Sequence, residues 1–335
     1  MPVIEVVNLS KKFRTNRKEP GIAGAVKALF RPVVQETAAV DGVRFTVEPG
    51  EVVGYIGVNG AGKSTTIKML TGILEPTAGM VRVLGRDPHR QRVDNAREIG
   101  VVFGQRSQLW WDLAFIESLN LISKIYEIDP GRYRELLDQF CGMLDLGDLL
   151  RVPIRSMSLG QKMRAELTAA LIHEPRIVYL DEPTIGLDLI VKERIREFIR
   201  EQNKRNGTTV FLTTHDLGDI EKLCRRVIII DAGRIIYDGP LTTIQERFGR
   251  YRTITFETAG FAATISLPPG VETAPQNPED RKLILKFDRT KTTASKVASA
   301  VMDQIDVVDF SLAEPDLSSV VRQIYNGALK ENVPP

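Results

Sequence analysis

The chain has 335 residues, 43% hydrophobic and 26% charged, which suits one large globular domain with a small companion and excludes a disordered or fibrous chain. Forty-five basic against 43 acidic residues leave a net charge of +2, so no genome-binding tail is implied. Two cysteines, Cys141 and Cys224, lie far apart without a CxxC partner, which excludes a disulfide framework and a thiolate metal site. No window approaches the ~18–20 apolar residues that cross a bilayer. The opening residues also lack the apolar core of a signal peptide. A soluble intracellular protein is therefore expected, with any membrane part supplied by another chain.

Residues 3–7 and 43–47 read as strands, and Glu48, Pro49 and Gly50 turn the chain into a third at 51–56. Between the first two, the chain is basic. Residues 21–31, bounded by Pro20 and Pro32, place Ile22, Val26, Leu29 and Phe30 at helical spacing, with Lys27 and Arg31 on another face. A short amphipathic helix is expected there, packed on its own domain or facing a permease or anionic membrane surface. A glycine-rich turn then leads into a helix from about Lys63, with Ile67, Leu70 and Leu74 along one face. Residues 81–84 and 99–103 read as strands, and about 105–173 forms a largely helical subdomain. Leu119, Ile122 and Tyr126 share one stripe there, and Leu136, Phe140 and Leu144 another. Three short apolar runs follow at 177–180, 210–212 and 227–230, separated by charged helical stretches. Such runs are what strands buried on both faces of a parallel sheet look like. Residues 251–335, with strands near 253–257, 283–287 and 307–312 and helices near 294–304 and 317–329, read as a small α+β domain.

The strongest motif is Gly57-Val58-Asn59-Gly60-Ala61-Gly62-Lys63-Ser64, which fits G-x-x-x-x-G-K-[ST] between a predicted strand and a predicted helix. Glycines let successive backbone N–H groups turn inward around phosphate oxygens, and the helix adds its positive dipole end. Lys63 is expected to reach the β- and γ-phosphates, and the Ser64 hydroxyl, next to Thr65, to ligate Mg²⁺. The second motif is Asp181-Glu182 at the tip of the apolar run 177–180. An aspartate there can hold Mg²⁺ beside the phosphate loop. Glu182 points elsewhere, because strand side chains alternate, and can orient an attacking water.

Ser158-Leu159-Gly160-Gln161-Lys162 begins 23 residues before Asp181, and Asp181-Glu182-Pro183-Thr184-Ile185-Gly186-Leu187-Asp188 follows. With the phosphate loop, these segments resemble the ATP-binding-cassette (ABC) family over residues 1–245. The resemblance implies an α/β P-loop NTPase cassette: a mostly parallel core sheet, an antiparallel N-terminal β subdomain and a helical subdomain, with the small C-terminal domain appended. It implies that Ser158, Gly160 and Gln161 form a signature loop facing the γ-phosphate held by a second subunit, and that Asp188 communicates across the dimer. His215, 34 residues after Asp181, resembles the switch histidine. Gln105 resembles the glutamine that senses Mg²⁺ and the permease, with Gln108 as a rival alignment. Phe13 matches the aromatic that stacks on adenine, or is a core residue. Two positions depart from the family pattern. Leu159 stands where a glycine is usual, and Leu189 where a proline often follows Asp188.

A single cassette without a membrane span implies an ATPase that binds ATP and Mg²⁺ and pairs with a second cassette subunit, a homodimer being expected. It would drive a separate integral-membrane permease from the cytoplasmic face of the membrane, with no direct contact to nucleic acid. Gly104-Gln105-Arg106, Trp110-Trp111-Asp112 and Thr213-Thr214-His215-Asp216 resemble bacterial export-type ATPases paired with six-span permeases, so export is the expected direction. An importer ATPase and a cassette acting on nucleic acid or ribosomes are the alternatives. The latter is disfavoured by the ~95 residues between Lys63 and Ser158, which carry no coiled-coil heptads. An unrelated P-loop GTPase or kinase would leave the signature unexplained.

Overall fold

The computed structural model describes residues 1–17, 33–104, 107–248, 251–260, 265–274 and 281–313. The expected helix at 21–31, Gln105 and the expected helix at 317–329 lie outside them. The chain divides into two compact units, Met1–Gly239 and Pro240–Pro335.

The first unit is built on a six-stranded sheet. Its order is β5 (Ile99–Phe103), β6 (Ile177–Asp181), β7 (Thr209–Thr213), β3 (Val52–Gly57), β8 (Arg226–Asp231) and β9 (Arg234–Pro240). The pairings β5–β6, β6–β7, β7–β3 and β3–β8 are all parallel. The three apolar runs form β6, β7 and β8, and their central residues are buried, as strands covered on both faces must be. An antiparallel sheet of order β2 (Val33–Val47), β1 (Ile4–Arg17) and β4 (Ala78–Val83) lies beside it.

Both N-terminal strands run longer than their apolar residues predict. They pair from Ile4 opposite Val47 to Arg17 opposite Val33. Hairpin pairing satisfies the backbone of a polar stretch, and cross-strand contacts such as Arg14 Nε to Glu36 Oε1 at 2.8 Å add to it. The helix after the glycine turn is shorter than its stripe suggests: α1 (Lys63–Leu70) ends at Thr71, so Leu74 packs on the core from beyond the helix. α2 (Arg92–Glu98), too short and polar to show periodicity, precedes β5.

Capping chemistry sets the starts of the later helices. α3 (Phe115–Ile125) comes first. α4 (Pro130–Leu144) begins with Pro130 behind Asp129, whose carboxylate accepts the Gly131 and Arg132 N–H groups at 2.8 and 3.0 Å. α5 (Leu159–Leu171) starts in a reciprocal cap. The Gln161 N–H donates to Ser158 Oγ at 3.3 Å, and the Ser158 N–H to Gln161 Oε1 at 2.8 Å. α5 then packs so tightly on β5 that a Cβ at Gly100 would sit 2.1 Å from the Ala170 carbonyl oxygen. α6 (Leu189–Asn206) is capped by Asp188 and α7 (Leu217–Leu223) by Asp216.

The core centres on Phe211 of β7. Its ring lies 5.1 Å from Tyr55 and 5.9 Å from both Phe45 and Tyr179, so one side chain joins the antiparallel sheet to three strands of the parallel one. The second unit contains α8 (Leu241–Phe248) and a separate antiparallel sheet of order β11 (Val271–Thr273), β12 (Lys282–Asp288), β10 (Tyr251–Thr258) and β13 (Val307–Ala313). Ile254, Phe256, Leu285 and Phe287 of that sheet bury against Val297 and Val301 of α9 (Ala294–Met302). Among the described residues, no helix is long and apolar enough to cross a membrane.

Truncating Phe211 to Ala is expected to lower unfolding free energy by ~3–5 kcal/mol, the usual cost of emptying a buried aromatic site. Urea denaturation of the variant checks this, and a loss below ~1 kcal/mol would show that the ring does not join the sheets.

Candidate functional site

The glycine turn connects β3 to α1 through backbone that side chains would obstruct. Gly60 and Gly62 have φ of +83° and +111°. A Cβ at Gly62 would stand 2.4 Å from the Ala39 carbonyl oxygen, and one at Gly57 2.6 Å from that of Ile230. The strands on either side press the loop into place. α1 then begins at Lys63, with the Thr66 N–H donating to Gly62 O at 2.9 Å, and its free N-terminal amides face the turn.

Lys63 lies largely buried, and its ammonium donates to the carbonyls of Gly57 at 2.7 Å and Val58 at 3.4 Å. Burial pulls its pKa below the ordinary lysine value, while Glu182 and Asp181 oppose the shift. The Ser64 hydroxyl donates to Asp181 Oδ2 at 3.0 Å, and Asp181 Oδ1 accepts from Thr213 Oγ1. That second contact follows from register, since Asp181 and Thr213 are partners in the β6–β7 ladder.

Glu182 leaves the strand with φ of +59°, held there by its N–H bond to Thr213 O at 2.9 Å. Its carboxylate meets His215, with Nδ1 2.6 Å from Oε2 and the His215 N–H donating to the same oxygen at 3.3 Å. His173 lies elsewhere: its ring is stacked 3.9 Å from Tyr126, and burial pushes its pKa down to about 4. That ring is neutral and belongs to the packing.

These groups line one open cleft of about 940 Å³. It is lined by residues 57–60 and 62–65, by Asp181, Glu182 and His215, and by Ala39, Lys68, Phe103, Gly104 and Ile185. The structure thus brings together Gly57, Asn59, Gly60, Gly62, Lys63, Ser64, Thr65, Asp181, Glu182 and His215. Ala61 is buried behind the loop, where its carbonyl accepts the Gly233 N–H at 3.0 Å. Phe13 is 39% exposed and does not line the cleft; Lys11 Nζ lies 5.6 Å from its ring centre. Ser158, Gly160, Gln161 and Asp188 also stand outside the lining, with Ser158, Gln161 and Asp188 engaged as helix caps.

Gln108, the rival for Gln105, is turned away onto α5. Its Nε2 donates to the Glu166 carbonyl at 3.2 Å, and its N–H to Glu166 Oε2 at 3.2 Å. Glu166 also accepts the Ser107 hydroxyl, and burial pushes its carboxyl pKa up. Sequence reading passed over Glu166 because one acidic residue in a helix carries no signal. It likewise missed Thr213, whose role depends on strand register.

A family model described as ABC transporter matches residues 40–185. An ABC transporter ATP-binding protein of Bacillus subtilis is 34% identical over 217 residues, covering 65% of this chain and 88% of that protein. A daunorubicin resistance ATP-binding protein of Streptomyces coeruleorubidus is 32% identical over 286 residues, covering 84% and 89%. A Nod factor export ATP-binding protein of Paraburkholderia xenovorans is 37% identical over 216 residues, covering 64% and 70%. Among solved structures, the ATP-binding subunit of an ABC transporter matches with a TM-score of 0.61 at 27% identity, covering 74% of this chain and 93% of that one. A dimeric ATP-binding cassette bound to ADP and Pi shares the fold, with a TM-score of 0.59 at 23% identity over 71% and 98%. The glycine loop, the Asp181–Glu182 tip beside it and relatives aligned along most of their own length lead to one conclusion: the chain is an ATPase of the ABC transporter ATP-binding family.

Proposed function

We propose that this chain powers an exporter, working as one of two identical cassettes that close around two MgATP and move a separate membrane permease. The observation that carries the catalytic part is the convergence of Lys63, Ser64, Asp181, Glu182 and His215 on one cleft. With ATP in the cradle, the phosphates take over the Lys63 ammonium from the Gly57 and Val58 carbonyls, because an anion is the stronger acceptor. The backbone amides of the loop and the start of α1 donate to the same oxygens.

The donor set fits Mg²⁺. The Ser64 hydroxyl and Asp181 carboxylate are hard oxygen ligands 3.0 Å apart. Among the described residues no cluster of three or more His, Cys, Asp or Glu could hold a metal unaided, so phosphate and water oxygens would complete the shell. Bound there, the ion would neutralise charge on the β- and γ-phosphates. Glu182 accepts a hydrogen bond from the attacking water and aims it in line with the γ-phosphate. His215, bonded to the same carboxylate, fixes its direction.

Dimerisation is supported by the surface around the signature and the segment after Glu182. Leu159 is 52% exposed there, and Ile185, Leu189 and Ile190 are also exposed large apolar side chains. Such a group is normally covered by a partner. Leu159 lies against Gly186, where an added Cβ would be 3.1 Å from its Cδ2, so the departure from glycine enlarges this apolar surface. Docking of a permease at the cytoplasmic face is supported by the exposed pair Trp110 and Trp111, with Lys162 Nζ 4.5 Å above the Trp111 ring. Export is supported by relatives named for drug resistance and Nod factor export. In this reading Gln105 senses Mg²⁺ and the permease, Phe13 stacks on adenine, and Ser158, Gly160, Gln161 and Asp188 act across the dimer. Residues 1–245 form the catalytic cassette, with 251–335 as an accessory domain.

Glu182→Gln is expected to retain ATP binding while turnover drops at least ~10²; a variant that hydrolyses ATP at the parental rate removes Glu182 from this role. Lys63→Ala is expected to lose nucleotide affinity itself, measured by titration with a fluorescent ATP analogue, and parental affinity would refute the cradle. Chelation with EDTA should abolish hydrolysis, and excess Mg²⁺ should restore it; hydrolysis that persists would exclude the Ser64–Asp181 metal site.

A further inference from the structure

Glu182 and His215 sit at the ends of different strands, and neither belongs to a regular element. Glu182 also adopts the left-handed conformation, which costs a non-glycine residue about 1 kcal/mol and persists only where surrounding contacts hold it. Glu182 itself bonds to Thr213 O and His215, and the segments that flank the two groups are tied to Asp219 of α7, which is 0% exposed. Its Oδ2 accepts the hydroxyls of two buried threonines, Thr184 and, at 3.2 Å, Thr214. Its Oδ1 accepts Arg196 Nε at 2.7 Å and Nη2 at 2.5 Å, from α6. Thr184 follows Glu182 by two residues, and Thr214 immediately precedes His215. Thr214 Oγ1 in turn accepts the Asp216 N–H at 2.9 Å, so its hydroxyl proton is committed to Asp219 while the chain bends just past His215.

A buried carboxylate is expensive unless several donors compensate it, and here four do. The Arg196 pair alone would suffice to tie α6 to α7. The two hydroxyl bonds add something else, because they connect the same oxygen to both segments that carry the water-orienting groups. We propose that Asp219 is a positioning residue for hydrolysis: through Thr184 and Thr214 it holds the Glu182 carboxylate and the His215 ring in the pairing that aims the water. This rests on the assignment of Glu182 made above. Displacement of a positioned group by about 1 Å can cost ~10² in rate, so freeing either segment should be felt in turnover rather than in nucleotide binding.

The test uses the full chain with Thr184→Val and Thr214→Val, singly and together. Each change removes a hydroxyl at nearly constant shape and leaves the Asp219–Arg196 pair intact. Thr184→Ser and Thr214→Ser restore the hydroxyls. Steady-state hydrolysis is followed against ATP concentration, with folding monitored by thermal melting. Each valine variant is expected to lower kcat roughly tenfold and the pair ~10², with KM within about twofold of the parent. The serine variants should return kcat to the parental level. In a Glu182→Gln background, the valine changes should lower the residual rate no further, since groups acting as a unit are non-additive. A general loss of packing would instead lower both backgrounds alike.

Parental kcat in both valine variants overturns the proposal, as does an equal loss in the serine variants or a KM that rises in step with the loss of kcat. If the double variant fails to fold, the single Thr214→Val variant and its serine counterpart decide by the same criteria. Parental turnover in Glu182→Gln would overturn the catalytic reading itself and the clasp with it. An inactive Glu182→Gln beside fully active valine variants overturns the clasp alone.

Discussion

Asp181 is where the two halves of the cleft meet. One carboxylate oxygen receives the Ser64 hydroxyl from the start of α1, and the other receives Thr213 from the neighbouring strand. Both contacts depend on β6 ending beside the glycine loop and in register with β7. The order of the sheet secures this, because β7 lies between β6 and β3, the strand that feeds the loop. Phe211, one strand over from Asp181, packs β7 against Tyr179 of β6 and Tyr55 of β3, so the aromatic core holds those three strands together. The chemistry at the rim is therefore a property of the core beneath it.

Around that point, charged groups are placed where their neighbours can compensate them. Lys63 is buried but caps two carbonyls, Asp219 is buried but receives four donors, and Glu166 is buried under the Ser107 hydroxyl and the Gln108 amide. The last of these anchors the loop after β5 onto α5. A movement of α5 would accordingly be transmitted to the 107–109 segment through a short chain of hydrogen bonds rather than through solvent. Two charge pairs extend the same logic to α6: Lys192 with Asp216 at 2.5 Å, and Arg194 with Asp145 at 2.8 Å. They connect the helix that follows the Glu182 segment to the Asp216 cap of α7 on one side and to the end of α4 on the other.

The sequence departures from the family pattern are readable in this setting. Leu159 keeps the cap of α5 intact, because the Ser158–Gln161 pairing uses the side chains on either side of it. It changes the surface instead, by covering Gly186 and remaining half exposed. Leu189 occupies the first position of α6 behind the Asp188 cap, where a proline is well tolerated but not required.

Local sequence determined much of this protein. Glycines at 57 and 62 serve a loop that crowds backbone against backbone, Gly60 supplies a positive φ in open space, and the apolar runs ending at Leu180, Leu212 and Ile230 form strands buried on both faces. Caps at Asp129, Ser158, Asp188 and Asp216 mark helix starts by a chemistry that acts within three residues. Tertiary structure decided what no short window contains. It paired Ser64 with Asp181 across 117 residues, drew Thr184, Thr214 and Arg196 onto Asp219, turned Gln108 toward α5, left Phe13 off the cleft and lengthened a polar hairpin beyond its apolar residues. The reason is physical: spacing along a chain fixes backbone conformation and the face a side chain takes. Which faces meet is set by strand register and helix packing, to which the whole core contributes.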